Sequence, residues 1–358
     1  MSRDRPSPLP VRVLVVDDSA FMRTALSRMI ASDPGLEVVG TAASGSEALD
    51  KVGSLNPDVV TLDVEMPGMD GLAALRRIMS RFPRPVIMVS SSTERGAETT
   101  FQALSAGAFD YVPKHLSSTL DILHIRDDLL AKVRAAAQTR HPHPAPKLHA
   151  GGTMIDGAPS SAKSPLIVAL GTSTGGPRAL QEILPLFPAD LPVPILIVQH
   201  MPRGFTGPFA QRLNSLCAIT VREASDHEPI EPGTAYIAPA GKHMTVSLRS
   251  EAQATISLDD GAEDSLHVPS VDTMMKSVAR AFGNLAIGII LTGMGSDGAE
   301  GMTAIYREGG LTIGQEETDC AVYGMPRACA ELGILTRVVP LLQIPTHVLQ
   351  ATQYRKHA

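Results

Sequence analysis

Short apolar runs of strand length recur along the chain, and each stops abruptly at polar residues. Val11–Val16 is apolar apart from Arg12 and ends in Asp17-Asp18. Val59–Leu62 ends in Asp63, Val86–Val89 in Ser90, and Tyr111-Val112 leads into Pro113-Lys114. Between the first two runs, Phe21, Met22, Ala25, Leu26, Met29 and Ile30 repeat at helical spacing. The pattern is lost over Ala135–Pro165, a stretch rich in Pro, Ala, Ser, Gly and His that buries little and resists helix, so it reads as a linker. It then resumes with Leu166–Leu170, Val193–Val198, Leu285–Leu291 and Leu311–Gly314. Apolar strands alternating with amphipathic helices predict parallel, doubly wound α/β sheets, here in two domains, 1–134 and 166–358, joined by 135–165.

A length of 358 residues suits two cores, and 44% hydrophobic with 19% charged residues is ordinary for a globular chain. The net charge of −6 argues against nucleic acid as the principal partner, because phosphate neutralisation needs a Lys/Arg surplus. No apolar run approaches the roughly 20 residues that span a bilayer, so membrane insertion is not expected. The N-terminal apolar stretch is too short for a signal-peptide core, which makes a cytoplasmic location the expectation. Cys217, Cys320 and Cys329 lack CxxC spacing and read as reduced, buried thiols. His141, His143 and His149 read as solvated linker residues rather than metal ligands.

In doubly wound sheets, functional groups gather at the carboxyl ends of the strands. Asp17, Asp18 and Asp63 would meet there in the first domain, and three carboxylates repel unless a divalent cation sits among them; oxygen-only ligation favours magnesium. A lysine and a hydroxyl on neighbouring strands could then hold a phosphoryl group. Taken singly, the same aspartates could cap a helix or open a turn. With VLVVDDSAFMR, LDVEMPGMDGL and the spaced Ser90 and Lys114, residues 11–134 resemble the receiver domain of response regulators, a flavodoxin-like fold. The resemblance implies that Asp63 accepts phosphate from a histidine kinase. It also implies that Asp17, Asp18, Asp63 and the backbone carbonyl of Glu65 hold Mg2+, and that Ser90, Tyr111 and Lys114 form the switch. His115 stands where receivers usually have proline, which puts the usual cis peptide in question.

In the second domain, Leu166–Leu170 runs into Gly171-Thr172-Ser173-Thr174-Gly175-Gly176, followed by Leu180, Ile183, Leu184 and Phe187 at helical spacing. This is G-x-S-x-G at a strand-to-helix turn, where a serine can be presented on a sharp bend. A nucleophilic serine needs a base, and the base an orienting carboxylate. His200 and Asp297 follow the runs at 193–198 and 285–291. The order Ser, His, Asp differs from that of α/β-hydrolases, so a different fold with a convergent triad is expected. The same glycine-rich loop, Gly293-x-Gly295-x-x-Gly298 with Glu316 beyond it, also matches a dinucleotide-binding fingerprint, although that reading leaves Ser173 and His200 unexplained.

The strings GTSTGGPRAL, VQHMPRGFTGPFAQRL, YIAPAGKHM, PSVD, GIILTGMGSDGAEGM and CAVYGMPRA make the stretch from Leu166 to about Val348 similar to the catalytic domain of the CheB family, the chemotaxis protein-glutamate methylesterases. That resemblance implies a Rossmann-like catalytic domain that hydrolyses glutamyl methyl esters on methyl-accepting chemoreceptors to glutamate and methanol. Glutamine deamidation at the same sites is allowed by the shared acyl intermediate. It also implies Ser173 as nucleophile, His200 as general base and acid, and Asp297 as the orienting acid, with the backbone N–H groups of Thr174 and Met294 as the expected oxyanion donors. CheA is implied as phosphodonor, and no cofactor is expected for the esterase chemistry. Val268 replaces the usual arginine in HVPSVD, and Asp226-His227-Glu228 departs from a pattern in which glycine often follows the aspartate. Two alternatives remain at this level: the same hydrolase in a non-motility chemosensory pathway, and a response regulator with a non-catalytic output.

Overall fold

A computed structural model describes residues 9–91, 93–114, 119–138, 167–250, 253–261 and 267–352. The chain separates into two compact units, residues 1–145 and 146–358.

In the first unit the strands are β1 (Val11–Val16), β2 (Leu36–Ala42), β3 (Val59–Asp63), β4 (Val86–Ser90) and β5 (Asp110–Pro113). They alternate with α1 (Ala20–Ala31), α2 (Gly45–Leu55), α3 (Gly71–Arg81), α4 (Glu94–Ser105) and α5 (Thr119–Gln138). The sheet order is β2-β1-β3-β4-β5, with every pairing parallel. Burial of β1, β3 and β4 is near complete along their carboxyl halves, which accounts for runs that are continuously apolar rather than alternating. Ser19, Ser44 and Asp70 cap the first three helices by accepting the amides of Met22, Glu47 and Ala73. Helix α5 passes the expected boundary at residue 134 and ends at Gln138, because its alanine-rich end favours helix and Ala136 packs into the core with Val133 and Leu129.

In the second unit a seven-stranded sheet has the order β14-β13-β12-β6-β7-β9-β8, again with all pairings parallel. Its strands are β6 (Ile167–Thr172), β7 (Ile195–Gln199), β8 (Thr220–Glu223), β9 (Thr234–Ile237), β12 (Ala286–Ile290), β13 (Leu311–Gln315) and β14 (Arg337–Val339). An antiparallel pair, β10 (His243–Ser250) with β11 (Gln253–Asp259), stands apart. The helices are α6 (Gly176–Ile183), α7 (Thr206–Asn214), α8 (Val271–Phe282), α9 (Ala299–Arg307), α10 (Met325–Glu331) and α11 (Ile344–Ala351). The doubly wound expectation therefore holds for both units. The order reverses across β6, with β12 on one side and β7 on the other, and a topological switch point of this kind opens a crevice at the carboxyl ends. Among the described residues, no helix is long and apolar enough to cross a membrane.

The linker histidines and His115 lie outside the described residues. His227, where glycine often stands, has φ +62°, a left-handed conformation that glycine adopts without strain. Gly71 is required by closeness rather than by φ: a Cβ there would lie 2.0 Å from the Asp63 carbonyl oxygen. Gly71→Ala should therefore destabilise the first unit by about 2 kcal/mol, read as an earlier first transition in urea denaturation of the full chain. An unchanged transition would show that the β3–α3 turn yields freely.

Candidate functional site

In the first unit, Asp17, Asp63, Ser90 and Lys114 come together at the carboxyl ends of β1, β3, β4 and β5, as the sequence predicts. Ligand oxygens of Asp17, Asp18 and Asp63 all lie within 4.8 Å of one another, with Asp17 and Asp63 buried and Asp18 exposed. Lys114 Nζ lies 2.8 Å from Asp17 Oδ2 and 2.6 Å from Asp63 Oδ2. Burial pushes the Asp63 carboxyl up to about 6 against the pull of Lys114. Burial also opposes the Lys114 charge, but the two aspartates outweigh it and hold the ammonium above its ordinary range. The Glu65 amide donates to Asp63 Oδ1 at 3.1 Å, so its backbone borders the cluster. Ser90 Oγ is turned to the backbone, donating to the carbonyls of Ser91 and Gly96. Tyr111 is buried edge-to-face against Phe101, with centroids 6.3 Å apart, and Lys132 lies over its ring. The all-oxygen donor set, with like charges held this close, fits a hard divalent cation.

In the second unit, Ser173, His200 and Asp297 follow β6, β7 and β12, three neighbouring strands. His200 Nε2 meets Asp297 Oδ2 at 2.8 Å. In the neutral ring this makes Nε2 the donor and leaves Nδ1 as the acceptor, and Nδ1 is buried without a hydrogen-bond partner. Ser173 and His200 directly follow the paired residues Thr172 and Gln199, and the His200 amide donates to the Thr172 carbonyl. Ser173 Oγ makes no hydrogen bond among the described residues; the two side chains share one rim without being joined. Gly175, at φ +77°, completes the sharp bend after the serine.

Asp297 sits on the N-terminus of α8. It accepts the amides of Val271 at 2.8 Å and Asp272 at 3.0 Å, and the Ser270 hydroxyl at 3.0 Å. Burial works to raise its pKa, but these bonds and His200 win, holding the carboxyl well below the usual range. Asp272 returns the arrangement, accepting the amides of Gly298 at 3.0 Å and Gly301 at 2.7 Å at the start of α9. Its carboxylate thus occupies the anion site of the helix that a dinucleotide fingerprint would reserve for pyrophosphate. This removes the dinucleotide reading of Gly293, Gly295 and Gly298.

Thr292 ties the serine turn to the glycine-rich loop. Its carbonyl accepts the Ser173 amide at 3.1 Å and the Thr172 hydroxyl at 2.8 Å, and its own hydroxyl donates to the Thr174 carbonyl at 2.9 Å. A Cβ on Gly293 would lie 2.2 Å from Met325 Sδ and 2.9 Å from Ser173 Cβ, so the missing side chain lets the glycine-rich loop approach the serine turn. Among the described residues, neither the Thr174 nor the Met294 amide donates a hydrogen bond. Sequence reasoning missed Ser270, Asp272, Thr292 and His267. The last stacks on His200, with centroids 4.2 Å apart at 15°, and burial together with the His200 charge holds it below the ordinary histidine range. Val268 precedes a cis Pro269, and its carbonyl accepts the Gly241 amide.

A sequence profile described as CheB methylesterase matches residues 168–348, and one described as response regulator receiver domain matches residues 13–124. Protein-glutamate methylesterase/protein-glutamine glutaminase 1 of Oleidesulfovibrio alaskensis is 45% identical over 95% of this chain and 99% of its own. The corresponding protein 2 of Nitratidesulfovibrio vulgaris is 48% identical over 92% of this chain and 96% of its own. The solved catalytic domain of Thermotoga maritima CheB methylesterase matches with a TM-score of 0.50 at 37% identity, covering 53% of this chain and 99% of that domain.

Asp297→Asn keeps the size and removes the charge. Because the native carboxyl titrates below its unfolded range, its stabilisation is complete at neutral pH and is lost as pH falls below about 4. The variant should be less stable by about 2 kcal/mol at pH 7, and the difference should shrink between pH 5 and pH 2 in paired thermal melts. A gap that stays constant with pH would contradict the assignment.

Proposed function

Because the chain belongs to the CheB methylesterase family and carries a receiver domain ahead of the catalytic one, we propose that it is a phosphorylation-activated esterase of chemotaxis adaptation. It hydrolyses glutamyl methyl esters on methyl-accepting chemoreceptors and deamidates receptor glutamines. The observation that carries the reading is the imidazole of His200, anchored to Asp297 through Nε2 while Nδ1 is buried and unpartnered on the rim that holds Ser173.

In this reading His200 Nδ1 takes the Ser173 proton as the serine oxygen attacks the ester carbonyl carbon. The C–O bond to methoxide then breaks, and the same imidazole returns the proton so that methanol leaves. Water, deprotonated by His200, attacks the acyl-enzyme; the serine oxygen leaves with the returned proton and a free glutamate remains. A glutamine side chain gives the same acyl-enzyme with ammonia as leaving group. Asp297 keeps the proton on Nε2 and stabilises the imidazolium. The amides of Thr174 and Met294 receive the oxyanion, each worth about 3 kcal/mol in the transition state.

Asp63 is the phosphoacceptor, and Asp17, Asp18, Asp63 and the Glu65 carbonyl would hold Mg2+, which supplies charge neutralisation during phosphoryl transfer. Lys114 contacts the phosphoryl oxygens, and Ser90 and Tyr111 report the modification by changing position. Residues 1–134, 135–165 and 166–358 serve as receiver, linker and catalytic domain, with the receiver's last helix running on to Gln138. A cytoplasmic histidine kinase, CheA, is the phosphodonor.

Ser173→Ala should cut methanol release from methylated receptor membranes by about 10⁴-fold or more; release at the parental rate would eliminate the nucleophile and the proposal with it. A small-molecule phosphodonor with magnesium should raise the parent's turnover. Asp63→Asn should keep basal turnover and lose that response, and a variant as responsive as the parent would place the regulation elsewhere.

A further inference from the structure

Gln199 has no part in the chemistry above, yet it is buried at the last position of β7, between the nucleophile and the base. Its Nε2 donates to the carbonyl oxygens of Ser173 and His200, each at 3.0 Å. Two carbonyl acceptors fix which end of the amide carries the hydrogens. The Ser173 carbonyl accepts a second donor, the Gly176 amide at 2.8 Å. In a planar trans peptide the C=O and the following N–H point in opposite directions. Fixing the Ser173 carbonyl towards Gln199 therefore fixes the Thr174 N–H away from it.

We propose that Gln199 is a positioning residue for the oxyanion hole: by gripping the Ser173 carbonyl, it aims the Thr174 N–H at the oxygen that becomes negative during acyl transfer. The inference rests on Ser173 being the nucleophile. If that peptide turned over, a carbonyl would face the oxyanion and repulsion would replace stabilisation. Two features oppose a role in packing alone. Gln199 Oε1 is buried without a partner, a penalty that an apolar side chain of equal size would avoid. The chain also leaves out a side chain at Gly176, whose Cβ would lie 2.0 Å from that oxygen and 2.3 Å from Thr172 Oγ1. The second bond, to the His200 carbonyl, ties the base's backbone to the same amide.

The test uses full-length Gln199→Met and Gln199→Glu, both close to glutamine in size, beside the parent and Ser173→Ala. Methanol release is measured from methylated receptor membranes. The positioning role predicts that kcat falls about 10²-fold, with KM within about twofold; in the uncharged Met variant the pH of half-maximal activity stays unmoved, because the His200–Asp297 pair keeps its charge environment. Affinity for a boronate that forms a tetrahedral adduct should fall in parallel with kcat/KM, while affinity for the carboxylate product stays constant. A packing role would lower the melting temperature and leave the boronate-to-product ratio unchanged. Folded variants with kcat within threefold of the parent, or with the loss confined to KM, would overturn the inference. If the Met variant does not fold, the Glu variant decides, since its carboxylate keeps the volume and repels both carbonyls. Should Ser173→Ala itself retain activity, the methylesterase reading fails first and independently.

Discussion

Asp297 accepts hydrogen bonds from His200, Ser270, Val271 and Asp272, and the second unit is organised around that one carboxylate. Its charge is held by the amide end of α8, where helix polarity favours an anion. Removing it would leave the amides of Val271 and Asp272 unmet and the imidazole without an anchor, so the helix start and the histidine are held by the same atoms. Asp272 does the converse for α9, and the two helices exchange carboxylates. Each helix start thereby fixes the loop that precedes the other, and the orientation of Asp297 is held from both sides. An ordinary surface salt bridge could not do this, because water would screen it and the side chains would wander.

The serine turn has a corresponding anchor in Thr292. Strand β12 ends beside β6, so the Thr292 carbonyl and hydroxyl reach the serine turn at three places, Thr172, Ser173 and Thr174. Its amide is held in turn by the buried Gln315 Oε1 at 2.8 Å, and Gln315 reaches on to the Asp319 carbonyl. Rigidity at the site thus comes from polar side chains spanning strand ends, where the sheet's own ladder has stopped. Gly293 and Gly176 permit the closeness, and each would collide with a neighbouring side chain if it carried a Cβ.

The parts of this arrangement visible in the sequence are those that interrupt an apolar run. Asp17, Asp63, Ser90, Ser173, His200 and Asp297 all stand at or just beyond strand ends, and the doubly wound topology collects such positions on one edge. Ser270, Asp272 and Thr292 were not legible, because their roles depend on partners tens to more than a hundred residues away. His267 lies ahead of α8 with no periodic signal around it. The shorter strands β8 and β14 carry exposed edge positions, and β10 and β11 bury only alternate residues such as Met244, Val246 and Ile256, so none of them offered a continuous apolar run. At Ala135–Gln138 helix propensity and the burial of Ala136 prevailed over a composition that reads as linker.

The two units build acidic sites at the same place in the same kind of sheet, yet their key carboxylates are driven in opposite directions. Asp297 faces backbone amides and an imidazole, and is held ionised; its charge is a fixed part of the machinery. Asp63 faces other carboxylates in a buried pocket with one lysine, and burial pushes it up to about 6, so its charge is marginally supported. In the proposed reading this weakly supported charge belongs to the group that is modified, where a bound cation or phosphoryl group would change the balance. A carboxylate with four donors would resist such a reaction, and one with few would orient a histidine poorly. The count of donors around each aspartate thus separates the two sites more clearly than the fold does.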